Sequence, residues 1–144
     1  MRIRSNREQS PAGVWSCEKG TVAVLFGLAL IPVALAAGIS IDYARALTAR
    51  QQLQNAADAA AIAGARIPAM ANLNRADAAR IAFEANVAQT PLKDVVPVIE
   101  TTNEAVIVNA SYPHPTTFTS IAGIDTIELA VSTSARSQIE NGGV

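Results

Sequence analysis

The stretch Gly20–Ile41, GTVAVLFGLALIPVALAAGISI, decides the fold because it contains no charged residue. An α-helix rises about 1.5 Å per residue, so this stretch would be about 33 Å long as a helix. That length is close to the roughly 30 Å thickness of the hydrocarbon core of a bilayer. The sequence therefore predicts a transmembrane helix over residues 20–41.

The next stretch, Asp42–Arg66 (DYARALTARQQLQNAADAAAIAGAR), favours continuation of the same helix into water. It contains no proline and only one glycine, Gly64, and alanine, the best helix former, dominates it. Pro68 is expected to end the helix. We therefore predict one long helix over residues 20–66, with a membrane half (20–41) and an extramembrane half (42–66).

Small apolar residues recur along the extramembrane half at alternating spacings of three and four residues. This is the heptad pattern of a helix-packing surface. Alanine at such positions buries little area but lets another backbone approach closely. The predicted packing seam consists of Ala46, Ala49, Leu53, Ala56, Ala60 and Ala63. The seam can pack on the chain's own domain or on a partner helix, and Ala57 is expected to lie just off it.

The rest of the chain predicts a small α+β domain over residues 67–137, followed by a flexible tail, residues 138–144. A second helix is expected from Asn72 to about Gln89, because Thr90-Pro91 stops it. Beyond it the hydrophobic pattern alternates, which indicates an antiparallel sheet, and Pro97 places the first strand at an edge. The predicted strands are Val95–Thr101, Ala105–Tyr112 and Thr126–Arg136.

The connection between the last two strands is expected to be irregular. Pro113-His114-Pro115 predicts a break in the second strand. Thr116–Ala122 predicts one or two helical turns with Phe118 and Ile121 pointing inward, and Gly123 suits the turn that follows. The expected architecture is α+β: a long N-terminal helix, a shorter helix and a small sheet.

The basic residues around the apolar stretch predict its orientation in a membrane. Residues 1–19 are a polar tail with four basic residues, Arg2, Arg4, Arg7 and Lys19. Two basic residues, Arg45 and Arg50, closely follow the apolar stretch. Because Lys and Arg near a span favour the cytoplasmic side, we expect a cytoplasmic N-terminus and a periplasmic C-terminal domain.

A cleavable secretory signal is the alternative to a permanent anchor. Such signals have an apolar region of about 7–15 residues followed by an A-x-A site. Ala34-Leu35-Ala36 fits that site, and cleavage after Ala36 would release a soluble periplasmic interaction domain. Against this alternative, the apolar stretch continues to Ile41 and enters a strong helix.

Residue types that carry catalysis or bind ligands are scarce. The 11 Lys and Arg against 12 Asp and Glu give no basic excess for nucleic acid. The only histidine, His114, and the only cysteine, Cys17, lie on opposite sides of the predicted span. Ser111, His114 and Asp125 are close in sequence, but no glycine-rich elbow surrounds Ser111. We therefore expect no catalytic, cofactor or metal site, no small-molecule substrate, and no enzymatic activity.

Four pieces of the long helix occur together: Glu18-Lys19-Gly20, Thr21–Pro32, Gly38–Arg45 and Arg50–Ala63. In this combination, residues 19–66 resemble the N-terminal module of the TadE/TadG-like proteins of tight-adherence (Flp) pilus assembly. The resemblance implies a structural, pilin-like, single-pass protein of the bacterial inner membrane. Its implied partners are membrane lipid and other pilus-assembly membrane proteins or pilin-like subunits.

The chain departs from the family's pattern at two points, and it resembles a TadG-type anchor with a short domain. In the TadE-like branch, a glutamate stands at the position that Leu25 holds here, as in prepilin-type signals. The TadG-like branch often carries a large von Willebrand-type domain with a metal motif, which this sequence lacks. The resemblance also implies an alternative in which a prepilin peptidase cuts between Gly20 and Thr21, giving a minor pilin or pseudopilin.

Overall fold

The computed structural model describes residues 18–68 and 72–137, and it divides the chain into two compact units, Met1–Ala37 and Gly38–Val144. Residues 1–17 of the predicted polar tail and the predicted C-terminal tail, residues 138–144, lie outside the described residues.

The described part of the first unit is helical. It forms the start of helix α1, Glu18–Ala65, which contains Pro32 and confirms the predicted long helix. From Gly20 to Ala37 every residue is exposed. The exposed large apolar residues here are Val22, Val24, Leu25, Phe26, Leu28, Leu30, Ile31, Val33 and Leu35. Among the described residues, α1 is the one helix long and apolar enough to cross a membrane, judged by length and composition.

The second unit begins with the remainder of α1 and continues with helix α2, Asn72–Val87. At the end of α1, the Arg66 amide donates to the Ile62 carbonyl at 3.1 Å, and Pro68 follows within three residues of the helix end. Helix α2 ends two residues before the predicted Gln89. Its end is set by Thr90, whose amide and hydroxyl both donate to the Val87 carbonyl, at 2.9 and 2.8 Å.

In the described part of the chain, three strands form one antiparallel sheet in the order β1-β2-β3. The strands are β1, Val98–Thr101; β2, Ala105–Pro115; and β3, Thr126–Arg136. The register runs from Val98↔Asn109 to Thr101↔Val106 between β1 and β2, and from Ala105↔Arg136 to Pro115↔Thr126 between β2 and β3. Strand β1 lies at an edge, as predicted, but it starts at Val98, directly after Pro97, and not at the predicted Val95.

The predicted break at Pro113-His114-Pro115 is wrong, because β2 continues through Pro115 and keeps its pairing with β3. Proline lacks the N–H that a ladder needs, so it is tolerated where no strand pairs with that side. Strand β1 pairs with β2 only as far as Asn109, which leaves the other side of β2 unpaired by the described strands beyond that residue. The two prolines are two residues apart, so both nitrogens face the same side of β2.

The core of the second unit combines α1, α2 and the inner face of the sheet. It is built mainly from alanine on α1 and from larger side chains elsewhere. Its fully buried members include Leu53, Ala56, Ala57, Ala60, Phe83, Val87, Val106 and Val108. A Cβ at Gly64 would lie 2.9 Å from the Arg75 carbonyl oxygen and 3.2 Å from both methyl groups of Val106, so the end of α1 approaches its neighbours too closely for a side chain.

Ala57, predicted to lie just off the packing seam, is fully buried. The prediction is wrong because it assumed a narrow two-position seam. Helix α1 instead packs within a cluster that includes residues of both α2 and the sheet, so its buried face is wider, and Ala61 is buried as well.

The connection between β2 and β3 contains a short 3-10 helix, Thr119–Ala122, followed by Gly123 in the left-handed region with φ 85°. Of the two apolar residues predicted to point inward, Phe118 packs against Gly38 of α1 and stays 36% exposed, whereas the prediction is wrong for Ile121, which is 70% exposed. The groups that this turn directs towards the rest of the unit are backbone amides, which bond to a carboxylate on α1.

Candidate functional site

The most elaborate polar site among the described residues surrounds Asp42, the first charged residue after the apolar stretch. Asp42 lies on α1 and is only 2% exposed. Its Oδ2 atom accepts hydrogen bonds from the amides of Thr117, Phe118 and Thr119 at 3.1, 2.7 and 2.8 Å. The Thr119 hydroxyl donates a fourth bond to the same oxygen at 3.0 Å. The carboxylate therefore holds three successive amides of the β2–β3 connection.

These bonds also set the charge state of Asp42. Burial is the largest single influence and raises the pKa of the carboxyl group, whereas the hydrogen bonds from Thr119, Phe118 and Thr117 lower it. Together the bonds outweigh burial, so the pKa lies below the ordinary value of 3.8. Asp42 is therefore ionised at neutral pH.

A second contact joins the same connection to α1 one helical turn earlier. A Cβ added at Gly38 would lie 2.5, 2.6 and 2.7 Å from Cγ, Cδ1 and Cβ of Phe118. The Phe118 ring therefore lies directly over the glycine backbone. We call residues 116–125 the anchored loop, because the Gly38 and Asp42 contacts together hold it against α1.

The anchored loop is closed by bonds of its own. The Thr116 amide donates to the Asp125 carbonyl at 2.9 Å, and the Gly123 amide donates to Ser120 at 2.9 Å. Outward it presents Ile121 and Ile124, which are 70% and 51% exposed, and part of the Phe118 side chain, which is 36% exposed. No charged residue occurs between Thr116 and Ile124, so this surface of the loop is uncharged and partly apolar.

A buried arginine connects three elements of the second unit at the end of α1 that lies far from Asp42. Arg75 on α2 is 0% exposed, and its Nε and Nη1 atoms donate to the carbonyls of Gly64 and Thr102 at 3.3 and 2.6 Å. Its Nη2 atom has no hydrogen-bond partner among the described residues. Arg75 therefore ties the end of α1 to the β1–β2 turn, which is a structural role.

The residues considered for a catalytic triad do not form one. Ser111 and His114 are three positions apart on β2, so they lie on opposite faces of the sheet. The His114 ring packs edge-on to Tyr112, with ring centroids 6.0 Å apart, and its Nδ1 atom is buried without a partner in the described part of the chain. Asp125 lies at the end of the anchored loop. No group of three or more His, Cys, Asp or Glu among the described residues could hold a metal ion.

The helix that carries Gly38 and Asp42 also carries the family likeness. Residues 20–66 match the family of putative Flp pilus-assembly TadE/G-like proteins. The match confirms the resemblance and covers about a third of the chain, namely most of α1. It does not resolve the TadG-like branch, which stays a prediction. No curated protein and no solved structure matches the chain.

The TadE/G-like segment contains all the processing and packing residues proposed from the sequence. Gly20, Thr21, Leu25, Ala34 and Ala36 lie on exposed helix in the first unit. Of the seam residues, five are buried and Ala63 is partly buried; the buried ones are Ala46, Ala49, Leu53, Ala56 and Ala60. Ala46 and Ala49 pack with Leu129, whereas the next three belong to the main core. A partner helix on this seam stays a prediction.

Two open grooves flank the TadE/G-like helix where it meets the sheet. One groove, of about 470 Å³, has Ile41, Arg45 and His114 in its lining. The other, of about 420 Å³, lies on the side of Tyr43, and Arg50 and Glu128 contribute to it. The residues of α1 that line both grooves belong to the second unit.

Sequence reasoning missed the two residues that organise the second unit. Asp42 carries a visible signal, since it is a lone acid directly after a long uncharged stretch and belongs to the motif that resembles the family. Its partners are 75 to 77 positions away, and no pattern in the loop sequence points to them. Arg75 gives no such signal, because it sits in an ordinary polar helix sequence.

Proposed function

We propose that this chain is a non-enzymatic, membrane-anchored component of Flp/Tad-type pilus assembly. It would act through helix packing and protein–protein contacts, with membrane lipid and pilus-assembly membrane proteins or pilin-like subunits as partners. The match of residues 20–66 to the TadE/G-like family supports a part in Flp pilus assembly.

One observation supports the proposed membrane anchor more than any other. From Gly20 to Ala37 every residue of α1 is exposed, and half of them are large and apolar. Soluble proteins rarely expose so large a contiguous apolar surface. Lipid around this stretch would remove it from water, and the helical backbone satisfies its own hydrogen bonds there.

The basic residues support a single pass with the N-terminus in the cytoplasm. They are more numerous before the apolar stretch than directly after it. The domain of residues 67–137 would then lie in the periplasm, with the protein in the bacterial inner membrane.

Two processed forms are the competing proposals. The second unit begins at Gly38, so cleavage after Ala36 would leave its contacts, including the Asp42 site, intact. That division supports keeping the released periplasmic domain as an alternative. Prepilin-type cleavage after Gly20 would leave the apolar helix at the new N-terminus, but Leu25 offers no carboxylate to pair with a neighbouring amine.

The intact mass of the membrane-extracted protein separates the three forms. A mass that begins at Met1 supports the anchored component. A species that begins at Ala37 would establish the released domain, and one that begins at Thr21 would establish a processed minor pilin. Phosphatase fused after Ser137 should be active and phosphatase fused at Gly20 inactive; the reverse result would overturn the orientation.

Pilus output tests the assembly role itself. In a strain that lacks the chain, surface pilin should be lost and should return with the wild-type chain. It should not return with a chain in which Leu25, Leu28 and Ile31 are each replaced by Asp, because charged residues within the span prevent insertion. Normal pili without the chain would contradict the proposal.

A further inference from the structure

We propose that the anchored loop, residues 116–125, is a second membrane contact, with Ile121, Ile124 and the exposed part of the Phe118 side chain inserted into the lipid interface beside α1. This inference rests on the membrane anchor proposed above. It adds to the single helix a site on the folded domain that binds the lipid surface.

The two contacts with α1 fix the level of the loop along the helix. Phe118 lies over Gly38, and Asp42 holds the loop amides one turn further on. The uncharged stretch continues to Ile41, so the ring of Phe118 lies against the apolar part of the helix, about 5 Å before its end. Where the helix leaves the hydrocarbon, the loop is therefore at the depth of the interface.

The outer surface of the loop has the composition that such a depth requires. Ile121 and Ile124 are 70% and 51% exposed, and the side chain of Phe118 is partly exposed beside them. The stretch Thr116–Ile124 has no charged side chain. Aromatic and aliphatic side chains with no charge among them suit the boundary between headgroups and acyl chains.

The polar groups of the loop are largely paired within the protein, which lowers the cost of leaving water. Asp42 accepts the amides of residues 117–119, and the Ser120 hydroxyl donates to the Thr117 carbonyl at 2.8 Å. The Thr116 hydroxyl donates to the Ile124 carbonyl, and the Ile124 amide donates to Thr119. Backbone groups near lipid must be satisfied in this way.

The same bonds account for an acid at the end of the apolar stretch. A carboxylate at this level would be costly if it faced lipid. Asp42 is almost fully buried and its Oδ2 accepts four hydrogen bonds, so the loop covers the charge. Within the second unit, the loop lies beside the uncharged end of α1, where Ile39 and Ile41 are 46% and 45% exposed, and this shared apolar surface points to lipid as the occupant.

Fluorescence quenching by lipid tests the contact on the purified full-length chain in phosphatidylcholine vesicles at low protein density. Trp15 is replaced by Phe, and single tryptophans are introduced as Ile121→Trp in the loop, Ile81→Trp on α2 and Phe26→Trp in the apolar stretch. Ile81 is 67% exposed and matches Ile121 as a control, whereas Phe26 reports on the anchor. Lipids brominated near the glycerol end of the acyl chain serve as the quencher.

We expect loss of emission for Ile121→Trp and for Phe26→Trp, and no loss for Ile81→Trp. If bromolipid quenches Phe26→Trp but quenches Ile121→Trp no more than Ile81→Trp, the loop contact is overturned and the membrane anchor is still supported. No quenching at Phe26→Trp would overturn both. A different result would assign the surface to a second copy of the chain and overturn the lipid contact. In that case bromolipid would not quench Ile121→Trp, and the protection of this tryptophan from aqueous acrylamide would increase with protein density.

Displacing the loop provides the second variant. Gly38→Leu places a side chain where the Phe118 ring lies, so the quenching of Ile121→Trp should be lost while that of Phe26→Trp remains. The circular dichroism of the variant shows whether its helices are retained. Unchanged quenching of Ile121→Trp in a folded Gly38→Leu variant would contradict the proposed anchoring of the contact.

Discussion

Asp42 on α1 and Thr119 in the anchored loop are joined by two hydrogen bonds, from the Thr119 amide at 2.8 Å and from its hydroxyl at 3.0 Å, although 77 positions separate them. The pair joins α1 to the anchored loop at the point where the uncharged stretch of α1 ends. A charged side chain in the segment that matches the TadE/G-like family thus binds a loop that the family match does not cover.

Removal of this carboxylate should destabilise the second unit. Asp42→Ala leaves three amides and a hydroxyl without their acceptor, and Asp42→Asn keeps an acceptor but loses the charge that strengthens the bonds. We expect both variants to have a lower Tm in detergent solution, Asp42→Ala more so. Asp77→Asn is the control, because Asp77 forms an exposed pair with Arg80 on the surface of α2. Equal Tm values for Asp42→Ala and Asp77→Asn would contradict the role of Asp42.

The depressed pKa of Asp42 predicts a pH dependence with a definite sign. Because the folded-state pKa lies below the ordinary 3.8, the contribution to stability is present above that value and is lost as the pH falls through the folded-state pKa. The difference in Tm between wild type and Asp42→Asn should therefore be constant near neutral pH and shrink as the pH is lowered below about 4. A difference that grows on acidification would contradict the ionised, hydrogen-bonded state.

Gly64 should not tolerate a side chain, although it lies within a helix. Alanine at an open helical site is preferred over glycine by about 1 kcal/mol. Here the new Cβ would lie 2.9 Å from the Arg75 carbonyl oxygen, so Gly64→Ala should instead lower the free energy of unfolding by about 1–3 kcal/mol. Gly27→Ala is the matched control, since nothing lies within 4 Å of its added Cβ. Stabilisation by Gly64→Ala in chemical unfolding would show that α1 does not pack this closely.

Arg75 should be required for stability and not for any exposed contact. Arg75→Met fills a similar volume but leaves the carbonyls of Gly64 and Thr102 without their donor, which should cost about 1–3 kcal/mol in the free energy of unfolding. Arg80→Met, at an exposed position of the same helix, should change it little. The comparison fails if the two arginine variants unfold at the same denaturant concentration.

Local patterns predicted the secondary structure well because each element carries its own period. The uncharged stretch predicted the first half of α1, and the alternation of apolar and polar residues predicted the first and last residues of β3 correctly. The prolines of β2 misled because their effect depends on whether a strand pairs on that side, which is decided by the length of β1. The inward orientation of Ile121 was also wrong, because apolar character alone does not show that a loop contacts a helix through amides that bind a carboxylate.

The candidate site was harder to predict because its two halves are far apart in sequence. Gly38 and Asp42 were part of the pattern that resembles the family, yet their spacing shows only that they share one side of a helix. The partner loop became evident only from the structure. Arg75 illustrates the same limit, since a buried arginine bonded to two carbonyls has the sequence surroundings of an exposed one.

The alanines of α1 give the final prediction, on close packing. Ala56 and Ala57 are both fully buried, whereas Ala85 on α2 is exposed. A leucine at either buried position must push apart the elements packed there, at a cost of about 1–3 kcal/mol in the free energy of unfolding, although alanine and leucine differ little in helix propensity. We therefore expect Ala56→Leu and Ala57→Leu to be destabilised alike in chemical unfolding and Ala85→Leu to resemble wild type. If Ala56→Leu unfolds like wild type, the close packing of α1 within the second unit is contradicted.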